Sequence, residues 1–97
     1  MNIEPVGLSE KATEEVKNIM LNKGIPEGYG LRVGIKGGGC GAMGFMVGFD
    51  KQKEEDIAYV KDDIPIYIDK RHVMYLVGVE LDFYDEADER GFVFNKP

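Results

Sequence analysis

The stretch LRVGIKGGGCGAMGFMVGF, residues 31–49, contains two apolar segments of period two on either side of a glycine-rich loop. The alternating apolar positions are Leu31, Val33 and Ile35 before the loop and Phe45, Val47 and Phe49 after it. Alternation with period two is typical of strands that bury one face. The stretch therefore predicts two strands joined by residues 37–44, which carry Cys40, the only cysteine of the chain.

Upstream of this stretch, the sequence predicts one amphipathic helix over residues 9–23. Its apolar positions recur at helical spacing, and charged residues cover the opposite face. Ser9 is the candidate N-cap, because its hydroxyl can accept a hydrogen bond from a free backbone N–H. Gly24 can adopt the left-handed conformation that ends a helix, and Pro26 prevents the helix from resuming.

Downstream of the stretch, short alternating segments predict four further strands and one short helix. The strands are predicted over residues 57–60, 64–68, 79–84 and 92–94, and the helix over residues 70–77. Asp69 is placed to cap that helix and Gly78 to end it. Pro65 indicates an edge position for its strand, and the short connections favour antiparallel pairing. The predicted fold class is mainly β, of the α+β type.

The composition limits the functions that the chain can have. With 97 residues, the chain is predicted to form a single domain over residues 1–97. A net charge of −6 disfavours binding to nucleic acid. No apolar stretch approaches the ~20 residues that span a bilayer, and no secretory signal begins the chain, so no membrane contact is expected. A lone cysteine cannot form an internal disulfide, which indicates a reducing cytoplasm.

The loop around Cys40 is suited to stabilising negative charge. Glycines adopt backbone angles that other residues avoid, and they remove side chains that would block a ligand. Consecutive N–H groups in such a loop can form an anion-binding concavity, and Lys36 is close in sequence. The thiolate is the form of cysteine that binds soft metals. The alternative is a Cys40 packed as a small hydrophobic residue, but the flanking glycines favour an open loop.

The same loop also satisfies a nucleotide-binding pattern. Gly39, Gly41 and Gly44 match G-x-G-x-x-G directly after a predicted strand. In a dinucleotide site the pattern opens a helix, whereas here a period-two segment follows. Nucleotide binding is therefore disfavoured. A P-loop is excluded, because no Gly-Lys-Ser/Thr follows the glycines.

Four stretches of the chain resemble one known family. The stretch LRVGIKGGGCG (31–41) is similar to L-R-[IV]-x-[IV]-x-G-G-G-C-[SG]-G, and YLVGVELDF (75–83) to Y-L-x-G-x-x-[IL]-D-[YF]. The stretch GFVFN (91–95) is similar to G-F-x-[FI]-x-N-P, and LSEKA (8–12) to the opening helix T-x-x-A-x-x-x-[IVL]. On these motifs the chain is identified as a member of the A-type (HesB/IscA-like) iron–sulfur carrier family.

The chain departs from the family pattern at two places. Gly41-Ala42 stands where the family usually has Ser-Gly. The family pattern also continues to a terminal C-G-C, which is absent from these 97 residues. Either the natural protein lacks those two cysteines, or the sequence is part of a longer protein.

The resemblance implies a compact HesB-like fold, a mixed β-sandwich or pseudo-barrel with an N-terminal amphipathic helix and one short internal helix. It implies a cytoplasmic carrier without enzymatic activity. Such a carrier receives an iron–sulfur cluster or iron, contacts cluster-assembly proteins and delivers to apo iron–sulfur proteins. Cys40 is the implied cluster-binding and metal-binding residue. Because clusters are usually held by about four thiolates, one cysteine per chain predicts a homo-oligomer, either a dimer or a tetramer.

Carboxylates, one imidazole and two thioethers are the other candidate metal ligands; they are Glu86, Asp88, Glu89, His72, Met43 and Met46. The carboxylates are better explained as a solvated turn, and the histidine as a packed or exposed side chain. The methionines are better explained as fillers of apolar gaps. A nucleophilic Cys40–His72 pair has no supporting motif.

Two alternatives to the carrier remain. In the first, a degenerate family member keeps the fold and the partner surface, holds no cluster and acts as an adaptor in the maturation of iron–sulfur proteins. In the second, Cys40 is a redox-responsive thiol in a regulatory role. Uptake of iron and sulfide distinguishes the carrier from both.

Overall fold

The computed structural model describes residues 5–37 and 43–95, which contain seven strands and two α-helices. The elements in chain order are β1 (Val6–Leu8), α1 (Glu10–Asn22), β2 (Tyr29–Gly37), β3 (Met43–Lys51), β4 (Asp56–Lys61), β5 (Ile64–Asp69), α2 (Val73–Leu76), β6 (Val79–Glu86) and β7 (Glu89–Asn95). A 3₁₀ turn, Lys70–His72, leads directly into α2. The mainly β fold class with a leading helix and a short internal helix is confirmed.

The strands form two mixed sheets, one with the order β3-β2-β5-β4 and one with the order β1-β6-β7. The β2–β3, β4–β5 and β6–β7 pairs are antiparallel, as the short connections predicted. The β2–β5 and β1–β6 pairs are parallel. The preference for antiparallel pairing therefore holds for strands joined by short connections. Parallel pairing occurs where intervening elements return the chain to the same end of the sheet.

The edge position predicted from Pro65 is wrong, because β5 lies between β2 and β4. Pro65 is the second residue of β5, and the register with β2 begins one residue later, at Leu31 opposite Ile66. The missing N–H of proline therefore falls just before that ladder. Gly30 permits the close approach there, since a Cβ on it would lie 2.7 Å from the carbonyl oxygen of Pro65.

Strand β1 was not predicted. Its three residues, Val6–Leu8, are too few to establish a period in the sequence, and the strand forms by pairing with Val79–Leu81 of β6. The helix predicted over residues 70–77 is instead the 3₁₀ turn followed by the four-residue α2. Its predicted ends are confirmed: Asp69 Oδ1 accepts a hydrogen bond from the Arg71 N–H at 2.9 Å, and Gly78 has a φ of +84°.

Helix α1 begins and ends as its sequence predicts. Ser9 Oγ accepts a hydrogen bond from the Ala12 N–H at 3.1 Å. Gly24 follows the C-cap with a φ of +62°, and the N–H of Ile25 donates to the carbonyl of Met20 at 3.2 Å. This last bond is the one that closes a Schellman motif. Within the described residues, no helix is long and apolar enough to cross a membrane.

Both sheets and α1 contribute to one hydrophobic core. Its largest fully buried side chains are Val6, Val16, Leu31, Val33, Ile64, Ile66, Ile68, Leu76 and Leu81. The positions that alternate in β2 and β5 are thus the ones that face inward. Burial of each such side chain stabilises the fold by about 1.5–3 kcal/mol before entropy is counted.

Candidate functional site

The β2–β3 hairpin carries the loop that contains Cys40. Its ladder extends without a gap from Tyr29 opposite Lys51 to Gly37 opposite Met43. Cys40, the candidate cluster-binding and metal-binding residue, lies outside the described residues, together with the rest of residues 38–42. The paired ends of the two strands fix the points at which the chain enters and leaves this loop.

The inner face of the hairpin packs against the core and against the other sheet. Leu31 and Val33 are fully buried, whereas Phe45 near the loop is only half-buried. The ring of Phe45 stacks on Phe94 of β7, with centroids 4.9 Å apart and planes inclined by 23°. This contact connects the end of β7 to β3 at Phe45, two residues after the strand begins at Met43.

Each cross-strand pair on the outer face of the hairpin next to the loop contains one glycine. The cross-strand pairs on this face are Arg32–Gly48, Gly34–Met46 and Lys36–Gly44. A Cβ added at Gly44 or Gly48 would meet no described atom within 4 Å. Lys36 is exposed on this face, and Met46 is 40% exposed. A ligand that approaches the loop along β3 on this side therefore meets open positions at Gly44 and Gly48 and the positive charge of Lys36.

His72 lies against the outer face of β2 rather than standing free. Its Nδ1 accepts a hydrogen bond from the Ile35 N–H at 3.4 Å. A Cβ on Gly34 would lie 3.0 Å from the same nitrogen, so the glycine makes room for the ring. The sequence predicted a packed or exposed side chain at this position, and the structure shows a half-buried ring packed on β2. This geometry opposes ligation through Nε2, because a neutral ring whose Nδ1 accepts a hydrogen bond carries its proton on Nε2.

Arg32 ties the base of the hairpin to β4. Its Nε donates to Asp50 at 2.9 Å, and its Nη1 and Nη2 donate to the two carboxylate oxygens of Asp56 at 2.8 and 2.6 Å. The guanidinium also donates to the carbonyl of Lys51. These bonds hold the pKa of Asp56 below its ordinary value, chiefly because the side chain of Arg32 donates to the ionised form. The sequence placed Arg32 on the polar face of β2 but did not indicate these partners.

The acidic residues at the β6–β7 turn are Glu86, Asp88 and Glu89, and all three are exposed. This exposure agrees with the prediction of a solvated turn. The turn lies where β7 begins, whereas Phe94 lies near the other end of that strand. At ~3.4 Å per residue, Glu89 and Phe94 are about 17 Å apart along β7. The fold therefore does not bring these carboxylates to the part of β7 that contacts the hairpin.

The described residues do not form a complete metal site. Within residues 5–37 and 43–95, no group of three His, Asp or Glu side chains could hold a metal ion. Of the two candidate thioethers, Met46 is half exposed on the hairpin, and the side chain of Met43 lies outside the described residues. The chemistry suggested by the sequence therefore depends on Cys40, with Lys36 and the open positions at Gly44 and Gly48 beside it.

A comparison with known families identifies the chain. The model described as "Iron-sulphur cluster biosynthesis" matches residues 5–97. The chain belongs to the iron–sulphur cluster biosynthesis family. It is 36% identical to "Iron-binding protein IscA" of Serratia proteamaculans (strain 568) over 93 residues, which are 95% of this chain and 85% of that protein.

Two solved structures share the fold of this chain. The crystal structure of Escherichia coli SufA, described as involved in biosynthesis of iron–sulfur clusters, matches with a TM-score of 0.81 and 21% identity, over 100% of this chain and 84% of that one. The crystal structure of IscA with the [2Fe-2S] cluster matches with a TM-score of 0.72 and 19% identity, over 95% of this chain and 82% of that one. The resemblance that the motifs suggested is confirmed.

The structure also shows what one family-motif residue does in this iron–sulphur cluster biosynthesis chain. Asp82 Oδ1 accepts hydrogen bonds from Ser9 Oγ at 2.5 Å and from the Phe83 N–H at 2.8 Å. The bond from Ser9 is the main reason why the pKa of Asp82 lies below its ordinary value. Asp82 therefore links the N-terminus of α1 to β6, a structural role that its place in the motif did not indicate.

Proposed function

We propose that this protein is a carrier that binds an iron–sulfur cluster, or iron, through Cys40 and passes it to apo-proteins. The observation that carries the proposal is the family match over residues 5–97, which contains the Gly37–Gly39 run directly before Cys40. A relative at 36% identity is named as iron-binding. The proposal assigns no catalytic residue, since the cargo is held and transferred rather than converted.

The surroundings of the loop support binding of an anionic cargo. A cluster with sulfide and thiolate ligands carries negative charge, and the exposed Lys36 is the nearest lysine in sequence to Cys40. The open positions at Gly44 and Gly48 of β3 leave room for a bulky inorganic centre or for a client protein. Weak, incomplete ligation by one chain suits a carrier, because the cargo has to leave.

The proposal includes a homo-oligomer in the cytoplasm. Iron–sulfur clusters are usually held by about four thiolates, and each chain supplies one, so two or four copies of the chain would share one cluster. The cytoplasm is the compartment in which a lone thiol stays reduced. Apo iron–sulfur proteins and cluster-assembly proteins are the proposed partners, and residues 1–97 act as one domain.

Anaerobic reconstitution with iron and sulfide tests the proposal. We expect the wild-type protein to develop a visible absorption band and to bind iron, and we expect Cys40→Ser to lose both. Met46→Leu is the matched control, because it removes the exposed thioether beside the loop while keeping its apolar volume. Retention of the full band in Cys40→Ser would overturn the assignment of the ligand.

Sedimentation of the same samples tests the shared centre. The reconstituted wild-type protein is expected to sediment as a dimer or tetramer. Cys40→Ser, treated in the same way, is expected to show a smaller oligomeric fraction. A monomer that carries a full complement of iron and sulfide would contradict the proposal that copies share the cargo.

The adaptor is the second candidate, and it is favoured by one observation: these 97 residues contain a single cysteine, and the described residues offer no other metal site. An adaptor would show no absorption band after reconstitution and would still bind an apo iron–sulfur protein. The same binding measurement on Cys40→Ser separates the two functions, because an adaptor keeps its affinity when the thiol is removed.

A further inference from the structure

Strand β2 loses its second neighbour before it reaches the Cys40 loop. On one side, β3 pairs with it along the whole hairpin, up to Gly37. On the other side, β5 pairs only at Leu31 and Arg32. The part of β2 from Val33 to Gly37 therefore has one strand partner among the described residues. Backbone N–H groups on its outer edge need some other acceptor if they are to be satisfied.

His72 supplies that acceptor at Ile35. The N–H of Ile35 donates to Nδ1 of His72, which shows that it points away from β3. The ring is half-buried and lies over Gly34, where a Cβ would lie only 3.0 Å from Nδ1. The bond at 3.4 Å is long for an N–H donor, so its contribution is modest. Through this bond His72 nevertheless contacts β2 at Ile35, five residues before Cys40.

The 3₁₀ turn that holds His72 is itself fixed at two points. Asp69 caps it by accepting hydrogen bonds from the Arg71 N–H at 2.9 Å and from the Arg71 guanidinium at 2.7 Å. The N–H of Lys70 donates to the carbonyl of Glu55 at 2.9 Å. The turn follows β5 directly, so it lies where β5 leaves β2. His72 thus extends the support of β2 beyond the end of the β5 ladder.

We propose that His72 is a positioning residue for the Cys40 loop: its Nδ1 completes the free edge of β2 at Ile35 and holds the strand from which the loop begins. His72 does not bind the cargo in this role, since Nδ1 is occupied and Nε2 carries the proton. The inference that this hydrogen bond affects how long the cargo is retained rests on the proposed function. The existence of the hydrogen bond does not.

The bond can be tested without any metal. The chain contains one histidine, so labelling histidine with ¹⁵N gives the signals of His72 alone. At about pH 8, where an imidazole is ordinarily neutral, we expect the tautomer protonated on Nε2 and protection of the Ile35 amide from hydrogen exchange. A tautomer protonated on Nδ1, or an unprotected Ile35 amide, would overturn the proposal.

Two isosteric variants separate positioning from mere packing. In His72→Asn the amide oxygen takes about the place of Nδ1, whereas in His72→Gln the polar atoms lie farther out. We expect the exchange rate of the Ile35 amide to rise roughly threefold to tenfold in His72→Gln and in His72→Ala, and to stay within about twofold in His72→Asn. The amide of Gly34, in the adjacent pair with Met46, is expected to change little in all three.

Loss of cargo to a chelator is the functional readout. In the presence of the chelator, the half-life of the absorption band of the reconstituted protein is expected to fall roughly threefold to tenfold in His72→Gln. In His72→Asn it is expected to return to the wild-type value. Lys70→Ala, on the exposed side of the same turn, is the matched control and should leave the half-life unchanged. Equal half-lives in all four proteins would overturn the positioning role. If no protein forms a band, the proposed function fails, and the exchange data still decide whether the bond exists.

Discussion

Asp62 and Asp63 form the two-residue loop between β4 and β5, and both have a positive φ, 51° and 69°. Lys61 pairs with Ile64 across the turn, so the loop belongs to the hairpin class that favours asparagine followed by glycine. Aspartate tolerates this left-handed region better than most residues but adopts it at some cost. The sequence predicted a break between the strands over residues 57–60 and 64–68, but it did not indicate the backbone conformation at these two residues.

We expect Asp63→Gly to raise the free energy of unfolding by about 0.5 kcal/mol. Glycine removes the strain of an aspartate at a positive φ, which stabilises the folded state. Part of this gain is offset because glycine also has greater conformational entropy in the unfolded chain. Asp63→Val is the opposing variant and should lower the stability by about 1–2 kcal/mol, because a β-branched residue strongly resists a positive φ. Urea unfolding midpoints measure both; a lower midpoint for the glycine variant would contradict the assignment of strain.

Arg32 is a second residue whose role depends on its surroundings: it lies on the polar face of a half-buried strand and pairs with carboxylates that are distant in the chain. Its side chain is 13% exposed, and that of its partner Asp56 is 2% exposed. Bidentate pairing of guanidinium and carboxylate is the geometry in which such burial is tolerated. The two carboxylates come from residues 18 and 24 positions away in the chain, so no local pattern indicates them.

At the scale of elements, the junction of α1 and β6 depends on a shared hydrogen-bond network. Ser9 Oγ accepts from the Ala12 N–H and donates to Asp82, so one hydroxyl caps the helix and binds the strand. The N–H of Ser9 also donates to the carbonyl of Leu81 at 2.9 Å. The helix start is thus fixed to the centre of β6 by both backbone and side chain.

We expect Ser9→Ala to lower the free energy of unfolding by about 1 kcal/mol, the usual cost of losing an N-cap. Replacement of Asp82 by asparagine should also destabilise the protein near neutral pH. Because the pKa of Asp82 is lowered on folding, its contribution is present above the ordinary value of 3.8 and is lost as the pH falls through the folded value. The difference between wild-type and Asp82→Asn stability should therefore shrink in acid.

Urea unfolding at about pH 7 and at about pH 3 measures this dependence. Glu80→Gln is the matched control, since it removes an exposed carboxylate from the same strand. If the Asp82→Asn difference were as large in acid as at neutral pH, the ionised form of Asp82 would not be the stabilising species.

At the scale of the whole molecule, two aromatic contacts pack β7 against other strands. Phe83 and Phe92 meet edge to face within the β1-β6-β7 sheet, with centroids 5.1 Å apart. Phe45 and Phe94 stack between that sheet and the β3-β2-β5-β4 sheet. The second contact therefore couples the hairpin that carries the Cys40 loop to the end of β7.

We expect a double-mutant cycle of Phe45→Leu and Phe94→Leu to give a coupling free energy of about 0.5–1.5 kcal/mol, the range for aromatic pairs. The control cycle combines Phe45→Leu with Val93→Ala, which is 40% exposed, and should be additive within about 0.5 kcal/mol. Urea unfolding supplies all the stabilities. Additivity in the first cycle would show that the stacking does not link the two sheets.

The candidate site could be predicted only in part. The glycine-rich run, Cys40 and the family resemblance are visible in the sequence, because they are contiguous residues. The contact of His72 with Ile35 joins residues 37 positions apart and depends on where β5 leaves β2. No spacing in the chain encodes that point of divergence, which explains why the sequence predicted His72 only as a packed or exposed side chain and did not indicate its partner.

Local sequence was sufficient to predict six of the seven described strands, the leading helix with its caps at Ser9 and Gly24, and the motifs of the family, because these depend on residue periods and on neighbours within a few positions. Which strands lie side by side is a property of the tertiary structure: β1 pairs with β6, and β5 lies inside its sheet despite Pro65. The tertiary structure also sets the ion pair of Arg32 with Asp56, whose side chains are only 13% and 2% exposed. Such choices depend on contacts between residues far apart in the chain, whose energies do not appear in any local pattern of the sequence.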